Sequence, residues 1–224
     1  MPSERRFEAV LFDMDGVVAD TEDLHVRSEQ ETCVDYNFKV DPNDWGGFKG
    51  QTAASVVSYL IQKYGDPAKH NVDELISHKT EIFLGLAEQE LREIEGAIMF
   101  INWSRKQFEK TALVTSSNSL VQNFITSKLG VADLFDVTVT GDDVENGKPH
   151  PEPYFKALRS IGVSARKALV VEDSISGIRS AHAAGCEVMA VTTSHTAEEL
   201  EQESPLHIFE DYSQARAYLF NWYG

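Results

Sequence analysis

Two carboxylates stand two residues apart in Phe12-Asp13-Met14-Asp15-Gly16, directly after the short apolar run Val10-Leu11-Phe12. That spacing permits a division of labour, with one carboxylate attacking as nucleophile while the other gives and takes a proton. Gly16 lets the backbone turn sharply where a carbonyl can also face a cation. A helix–loop–helix calcium site starting at Asp13 is excluded, because it needs Gly where Val18 stands and Glu where Leu24 stands. A D-x-D triplet alone arises often by chance, but three further clusters accompany it. Thr115-Ser116-Ser117-Asn118 offers hydroxyls and backbone N–H groups at a helix start, which suits an anion. Asn118 or Ser119 also reads as a plain N-cap. Lys148, in Gly147-Lys148-Pro149, is either a site cation or a solvated loop lysine. Pro149 stands where a nucleotide-binding P-loop requires Ser or Thr, so that reading is rejected. Glu172-Asp173-Ser174 closes another buried run, and two acids at a strand end suit Mg²⁺, which takes few carboxylates and keeps waters.

These groups need a frame. Val10–Phe12, Ala112–Thr115, Val137–Thr140, Ala168–Glu172 and Val188–Val191 are β-branched, apolar runs bounded by turn residues, and they predict buried strands. Between them lie helical stripes. One contains Leu120, Val121, Phe124, Ile125 and Leu129 and stops at Gly130. A second contains Tyr154, Phe155, Leu158 and Ile161, and a third Ile175, Ile178, Ala181 and His182. Strands alternating with helices predict an α/β fold, a doubly wound parallel sheet with helices on both faces. From about Thr21 to Glu95 the pattern is helical, with stripes at Val56, Val57, Leu60, Ile61, Tyr64 and at Leu75, Ile76, Ile82, Phe83, Leu86, and no convincing strand. A block of that length is too long for a loop. It predicts an inserted α-helical cap domain over 20–95, between the parts 1–19 and 96–224 of the core. Ligands bind at the C-terminal ends of strands in open α/β sheets, so the insert is placed to act as a lid.

Composition narrows the function. In 224 residues, 20 Lys and Arg against 36 Asp and Glu leave a formal charge of −16. Such a surface repels polyanions and argues against nucleic-acid binding. No apolar run reaches the ~18 residues that span a membrane. The start of the chain shows no signal-peptide pattern, and Cys33 and Cys186 lie far apart and form no metal-type pair, so a cytoplasmic protein with buried thiols is expected. Asn102-Trp103-Ser104 matches a glycosylation sequon by chance. Ser194-His195-Thr196 reads as a surface turn, and Trp45 to Phe48 as either a substrate-touching cap loop or a helix connection.

In this order the four clusters resemble the haloacid dehalogenase-like superfamily, and the insert resembles the small helical cap of its β-phosphoglucomutase-like branch. The flanking motifs are Asp15-Gly16-Val17-Val18-Ala19-Asp20-Thr21-Glu22 and Phe48-Lys49-Gly50. The resemblance implies that Asp13 is the nucleophile and a Mg²⁺ ligand. Asp15 is then the general acid/base, with its backbone carbonyl on the metal. Thr115 and Lys148 hold the transferring phosphoryl oxygens, with Ser116 and Asn118 beside them. Asp173 ligates Mg²⁺, and Glu172 is a ligand or a partner of one. Thr21, His25 and Lys49 match positions that handle a phospho-sugar, His25 being either a relay for the proton of Asp15 or a surface residue. The acid at Asp15 points to phosphate esters, since dehalogenases lack it, P-type ATPases carry Thr there and phosphonatases Ala. The expected function is a Mg²⁺-dependent phosphatase, monomeric, acting on a small phosphorylated metabolite, foremost a sugar phosphate. A β-phosphoglucomutase-type isomerase is the alternative, against which Ala53 stands where the mutase carries a cap arginine. A non-catalytic binding protein is the third reading.

Overall fold

The computed structural model of the chain describes residues 7–48 and 50–223. In chain order the elements are β1 (Ala9–Phe12), β2 (Ala19–Asp20), α1 (Glu22–Asp35), α2 (Ala53–Tyr64), α3 (Val72–Glu90), β3 (Arg92–Glu93), α4 (Ala97–Gln107), β4 (Lys110–Val114) and α5 (Ser119–Leu129). They continue with β5 (Val137–Val139), α6 (Glu152–Ile161), β6 (Ala168–Glu172), α7 (Ile175–Ala183), β7 (Glu187–Val191), α8 (Ala197–Glu201), β8 (His207–Phe209) and α9 (Tyr212–Tyr223). Short 3₁₀ turns fill several of the connections.

Six strands form one parallel sheet in the order β5-β4-β1-β6-β7-β8. Alternation along each strand sends side chains to opposite faces. Val10, Phe12, Leu113, Leu169, Val171, Met189 and Val191 join one hydrophobic core, together with residues of α4, α5 and α9. Ala9, Leu11, Ala112, Val114, Val170, Val188 and Ala190 join the other, with residues of α6, α7 and α8. Both faces are covered, as a parallel sheet requires, and each fully buried Val, Leu or Phe contributes roughly 1.5–3 kcal/mol.

The helical insert has a third core of its own, formed by Cys33, Phe38, Val56, Val57, Leu60, Ile61 and Leu75. The chain leaves the sheet domain along β2 and returns along β3. These pair antiparallel, Ala19 with Glu93 and Asp20 with Arg92, so a short ribbon occurs where only helices were expected. The edge strand β8 was also not expected. Two stripe residues fall outside the buried arcs. Leu120 is 60% exposed, because α5 buries Val121, Gln122, Ile125 and Thr126. Phe155 is 50% exposed, because α6 buries Tyr154, Ala157, Leu158 and Ile161. Among the described residues no helix is long and apolar enough to cross a membrane. Both cysteines are buried and unbridged, and burial pushes each thiol up to about 12.

Candidate active site

The ends of β1, β4 and β6 meet because these strands are neighbours, with β1 central. Each end carries one of the expected clusters. Asp13 follows β1 directly, Thr115 follows β4, and Glu172 closes β6. Lys148 comes from the loop before α6. Its Nζ lies 2.7 Å from Asp13 Oδ1 and 2.6 Å from Glu172 Oε1, and it also donates to the Val114 carbonyl at 3.0 Å. Its side chain is 2% exposed, so it is no solvated loop lysine.

Glu172 is wholly buried and fully engaged by protein donors. Oε1 accepts from Lys148 and from the Tyr154 hydroxyl at 2.8 Å. Oε2 accepts from the backbone N–H of Asp173 and of Ser174 and from the Ser174 hydroxyl. The approach of α7 is what seals it, since a Cβ at Gly177 would lie 1.8 Å from Glu172 Oε1. Oxygen atoms of Asp13, Glu172 and Asp173 come within 4.8 Å of one another. Burial pushes the Asp13 carboxyl well above its ordinary range; Lys148 opposes this and Glu172 and Asp15 reinforce it. Burial does the same to Asp173, with Glu172 and Asp13 adding to it. A buried set of hard oxygen donors with excess negative charge fits a small divalent cation. With both Glu172 oxygens engaged, Asp13 and Asp173 are the carboxylates left to face it.

Asp15 lies in a different environment. Oδ1 accepts from the Thr21 hydroxyl at 2.6 Å and lies 2.9 Å from His25 Nε2. Oδ2 accepts from the hydroxyls of Thr115 at 3.1 Å and Ser117 at 3.0 Å. Burial alone would raise this carboxyl, but His25, then Thr21 and Ser117, hold it well below the usual carboxylate range. His25 stacks on Phe83 with ring centroids 4.3 Å apart, and its Nδ1 accepts from the Lys79 ammonium at 3.2 Å. That acceptance leaves the ring proton on Nε2, toward Asp15. His25 is therefore a site residue and not a surface one.

The other expected residues divide. Thr115 and Thr21 both serve Asp15, and Thr21 is wholly buried behind it, outside the substrate pocket. Ser116 donates to the Gly50 carbonyl at 3.0 Å, joining β4's loop to the cap. Asn118 caps α5 by accepting from Val121 N–H, and its amide donates to Thr80 of α3 at 3.3 Å. Lys49 lies outside the described residues. Trp45 and Phe48 line the pocket with Ala53. Several site residues escaped the sequence reading. Lys79 and Glu29 line the cap side of the pocket. Their signal was a lysine spaced four residues from both Leu75 and Phe83, and a glutamate one turn beyond His25. The Ser194 segment is no plain turn. Ser194 Oγ donates to Asp173 Oδ2, Thr193 Oγ1 donates to the Gly16 carbonyl at 2.6 Å, and His195 Nδ1 lies 3.1 Å from the Asp173 carbonyl oxygen. Gly16 has φ +73°, and a Cβ there would lie 1.9 Å from Asp173 Oδ2, so only glycine lets the two loops close on each other.

Comparison with known proteins agrees with this geometry. The family model of haloacid dehalogenase-like hydrolases matches residues 10–191. CbbY of Cereibacter sphaeroides is 32% identical over 186 residues, 80% of this chain and 81% of that protein. The phosphorylated carbohydrates phosphatase of Thermotoga maritima is 31% identical over 182 residues, 80% of this chain and 82% of that protein. A crystal structure of CbbY from Rhodobacter sphaeroides in complex with xylulose-(1,5)bisphosphate superposes with a TM-score of 0.83 at 25% identity, covering 93% of this chain and 96% of that one. The chain belongs to the haloacid dehalogenase-like hydrolases, in the β-phosphoglucomutase-like branch, and is a phosphoric monoester hydrolase.

Proposed function

We propose that this enzyme is a Mg²⁺-dependent phosphatase that hydrolyses a small sugar phosphate through an aspartyl-phosphate on Asp13. The observation that carries the reading is the contrast between two adjacent carboxylates. Asp13 belongs to the acidic cluster bridged by Lys148, whereas Asp15 is held apart by His25 and hydroxyls. Environments that separate paired acids in this way assign different roles to them.

Asp13 and Asp173 would hold the Mg²⁺, together with the backbone carbonyl of Asp15, while Glu172 fixes Lys148. The ion supplies charge neutralisation for the phosphoryl oxygens. An Asp13 oxygen attacks phosphorus and the ester P–O bond breaks. Lys148 offsets the charge gathering on the phosphoryl group. Asp15, entering this step as the acid, gives its proton to the leaving oxygen, and the His25 Nε2–H faces the carboxylate so formed. Asp15, again a carboxylate, then takes a proton from the water that attacks the phospho-aspartate, and Asp13 is regenerated. Ser116, Ser117 and Asn118 sit where the phosphate enters. The names of the relatives, a phosphatase of phosphorylated carbohydrates among them, support a sugar-like substrate. A cytoplasmic monomer that binds neither nucleic acid nor membrane accompanies the reading.

The test is phosphate release from a panel of sugar and polyol phosphates with Mg²⁺, alongside the conversion of β-glucose 1-phosphate to glucose 6-phosphate. Steady release without net isomerisation is expected. Isomerisation faster than hydrolysis and dependent on a bisphosphate primer would overturn it in favour of the mutase.

A further inference from the structure

Three successive peptide groups follow the paired aspartates, and each is held at both ends. The N–H groups of Val17, Val18 and Ala19 all donate to the Met14 carbonyl, at 3.3, 2.8 and 2.9 Å. Met14 stands between Asp13 and Asp15, so this knot fixes the backbone that carries both carboxylates. A trans peptide group is planar, so its carbonyl points away from its N–H and needs a donor elsewhere. The carbonyl opposite the Val17 N–H belongs to Gly16 and accepts from Thr193 Oγ1 at 2.6 Å. The next belongs to Val17 and accepts from the Tyr212 hydroxyl at 2.7 Å. The third belongs to Val18 and accepts from the Ile94 N–H at 3.0 Å, which continues the β2–β3 ribbon. The first two donors are side chains from the far end of the core.

Tyr212 opens α9 and is only 4% exposed. Its ring packs against Phe100 and Phe209, with centroids 5.0 and 5.3 Å away. Phenylalanine would fill this place without a polar atom, and burying a hydroxyl is unfavourable unless it is bonded. The hydroxyl goes to one backbone carbonyl 195 positions away in the sequence. Thr193 reaches the same turn from the loop after β7 and is more open to solvent. Neither side chain lines the pocket that holds Asp15.

We infer that Tyr212 is a positioning residue for Asp15, with Thr193 as its weaker companion. By holding the Val17 carbonyl, Tyr212 stops that peptide from rotating and keeps the Val18 N–H on Met14. The turn then presents the Asp15 carboxyl to the leaving oxygen. This rests on the acid role given to Asp15 above and names a buried contact, outside the pocket, on which that role depends. Loosening the turn should harm proton transfer selectively. A p-nitrophenolate leaves with little help from an acid, whereas the more basic phenolate needs a proton.

The experiment compares kcat/KM for phenyl phosphate and p-nitrophenyl phosphate at saturating Mg²⁺, in wild type, Asp15→Asn, Tyr212→Phe and the double variant. Circular dichroism checks that each is folded. Asp15→Asn should lower the phenyl-to-nitrophenyl ratio by about 10-fold or more. Tyr212→Phe should lower it by about 3- to 10-fold, the worth of one hydrogen bond. In the Asp15→Asn background, Tyr212→Phe should change the ratio by less than about 2-fold, because the group it positions is gone. Thr193→Val should act in the same direction by a smaller factor, and it carries the test should Tyr212→Phe not fold. An unchanged ratio in the folded variant overturns the inference alone, as does a fall that persists in the Asp15→Asn background, which marks a purely structural role. An Asp15→Asn enzyme with the wild-type ratio overturns the acid role of Asp15 and this inference with it. A wild type that releases phosphate from neither ester overturns the phosphatase reading as well.

Discussion

Lys148→Met strands two buried carboxylates and leaves the apolar stem in place. Lys148 Nζ bridges Asp13 at 2.7 Å and Glu172 at 2.6 Å, with almost no exposure of any of the three side chains. Removing one partner of a buried ion pair costs about 3–5 kcal/mol, because the remaining charge stays out of water. Here the molecule has an escape. Burial already pushes Asp13 well above the ordinary carboxyl range, and Lys148 is the group that opposes it. Without the lysine, Asp13 takes up a proton. A carboxyl whose folded pKa lies above its unfolded value, near 4, adds to stability below that value and loses the advantage as pH rises through the folded one. The loss should therefore be about 1 kcal/mol near pH 5 and about 3–5 kcal/mol near pH 8. Urea titrations of wild type and variant in EDTA, followed by tryptophan fluorescence at both pH values, measure it. Turnover of p-nitrophenyl phosphate with Mg²⁺ should fall by about 10³-fold or more, since the main fixed cation facing the phosphoryl group is gone. A stability loss that is the same at both pH values, or below about 1 kcal/mol at the higher one, refutes the reasoning.

Asp13→Asn should abolish turnover and leave the circular dichroism spectrum unchanged, since the near-isosteric amide cannot attack phosphorus; residual activity above about 1% would remove Asp13 as nucleophile. EDTA should silence the enzyme and Mg²⁺ restore it, with Ca²⁺ a poor substitute, because a site with few carboxylates suits octahedral geometry. Burial raises the Asp13 and Asp173 carboxyls, so the cation must displace protons and its affinity should rise with pH; an affinity that does not change with pH by calorimetry would contradict this. Ser194→Ala removes the hydroxyl bonded to Asp173 Oδ2 and should weaken Mg²⁺ binding by about 10- to 100-fold while saturating Mg²⁺ recovers most of kcat; unchanged affinity would reduce Ser194 to a bystander.

The core of the site was legible because its residues sit at strand ends, where short motifs report position directly. Asp13, Asp15, Lys148 and Glu172 each follow or precede a recognisable apolar run or turn. What escaped depends on approach in three dimensions. Ser194 reaches Asp173 only because β7 lies beside β6, and no local pattern around Ser194 announces that neighbour. Lys79 interrupts an apolar stripe, and stripe reading passes over the exception that matters. The edge strand β8 is three residues long, too short to show alternation. Phe155 and Leu120 were misplaced because a residue adjacent to the buried arc looks, by hydrophobicity alone, like part of it.

The order of the sheet also bears on how the chain reaches this state. β1 is formed first in synthesis, yet it is central, with Ala9 facing Lys110 on one side and Ala168 on the other. It cannot be paired on both sides until β6 has emerged, and such long-range closure slows folding. The cap, by contrast, lies in one continuous stretch with a core of its own and can collapse earlier. Any intermediate that has docked β1 without β6 holds Asp13 without the Glu172 and Lys148 frame around it. The bridge from Lys148 to both carboxylates therefore forms only once β1 and β6 lie side by side, so the floor of the site is completed by the same step that closes the sheet.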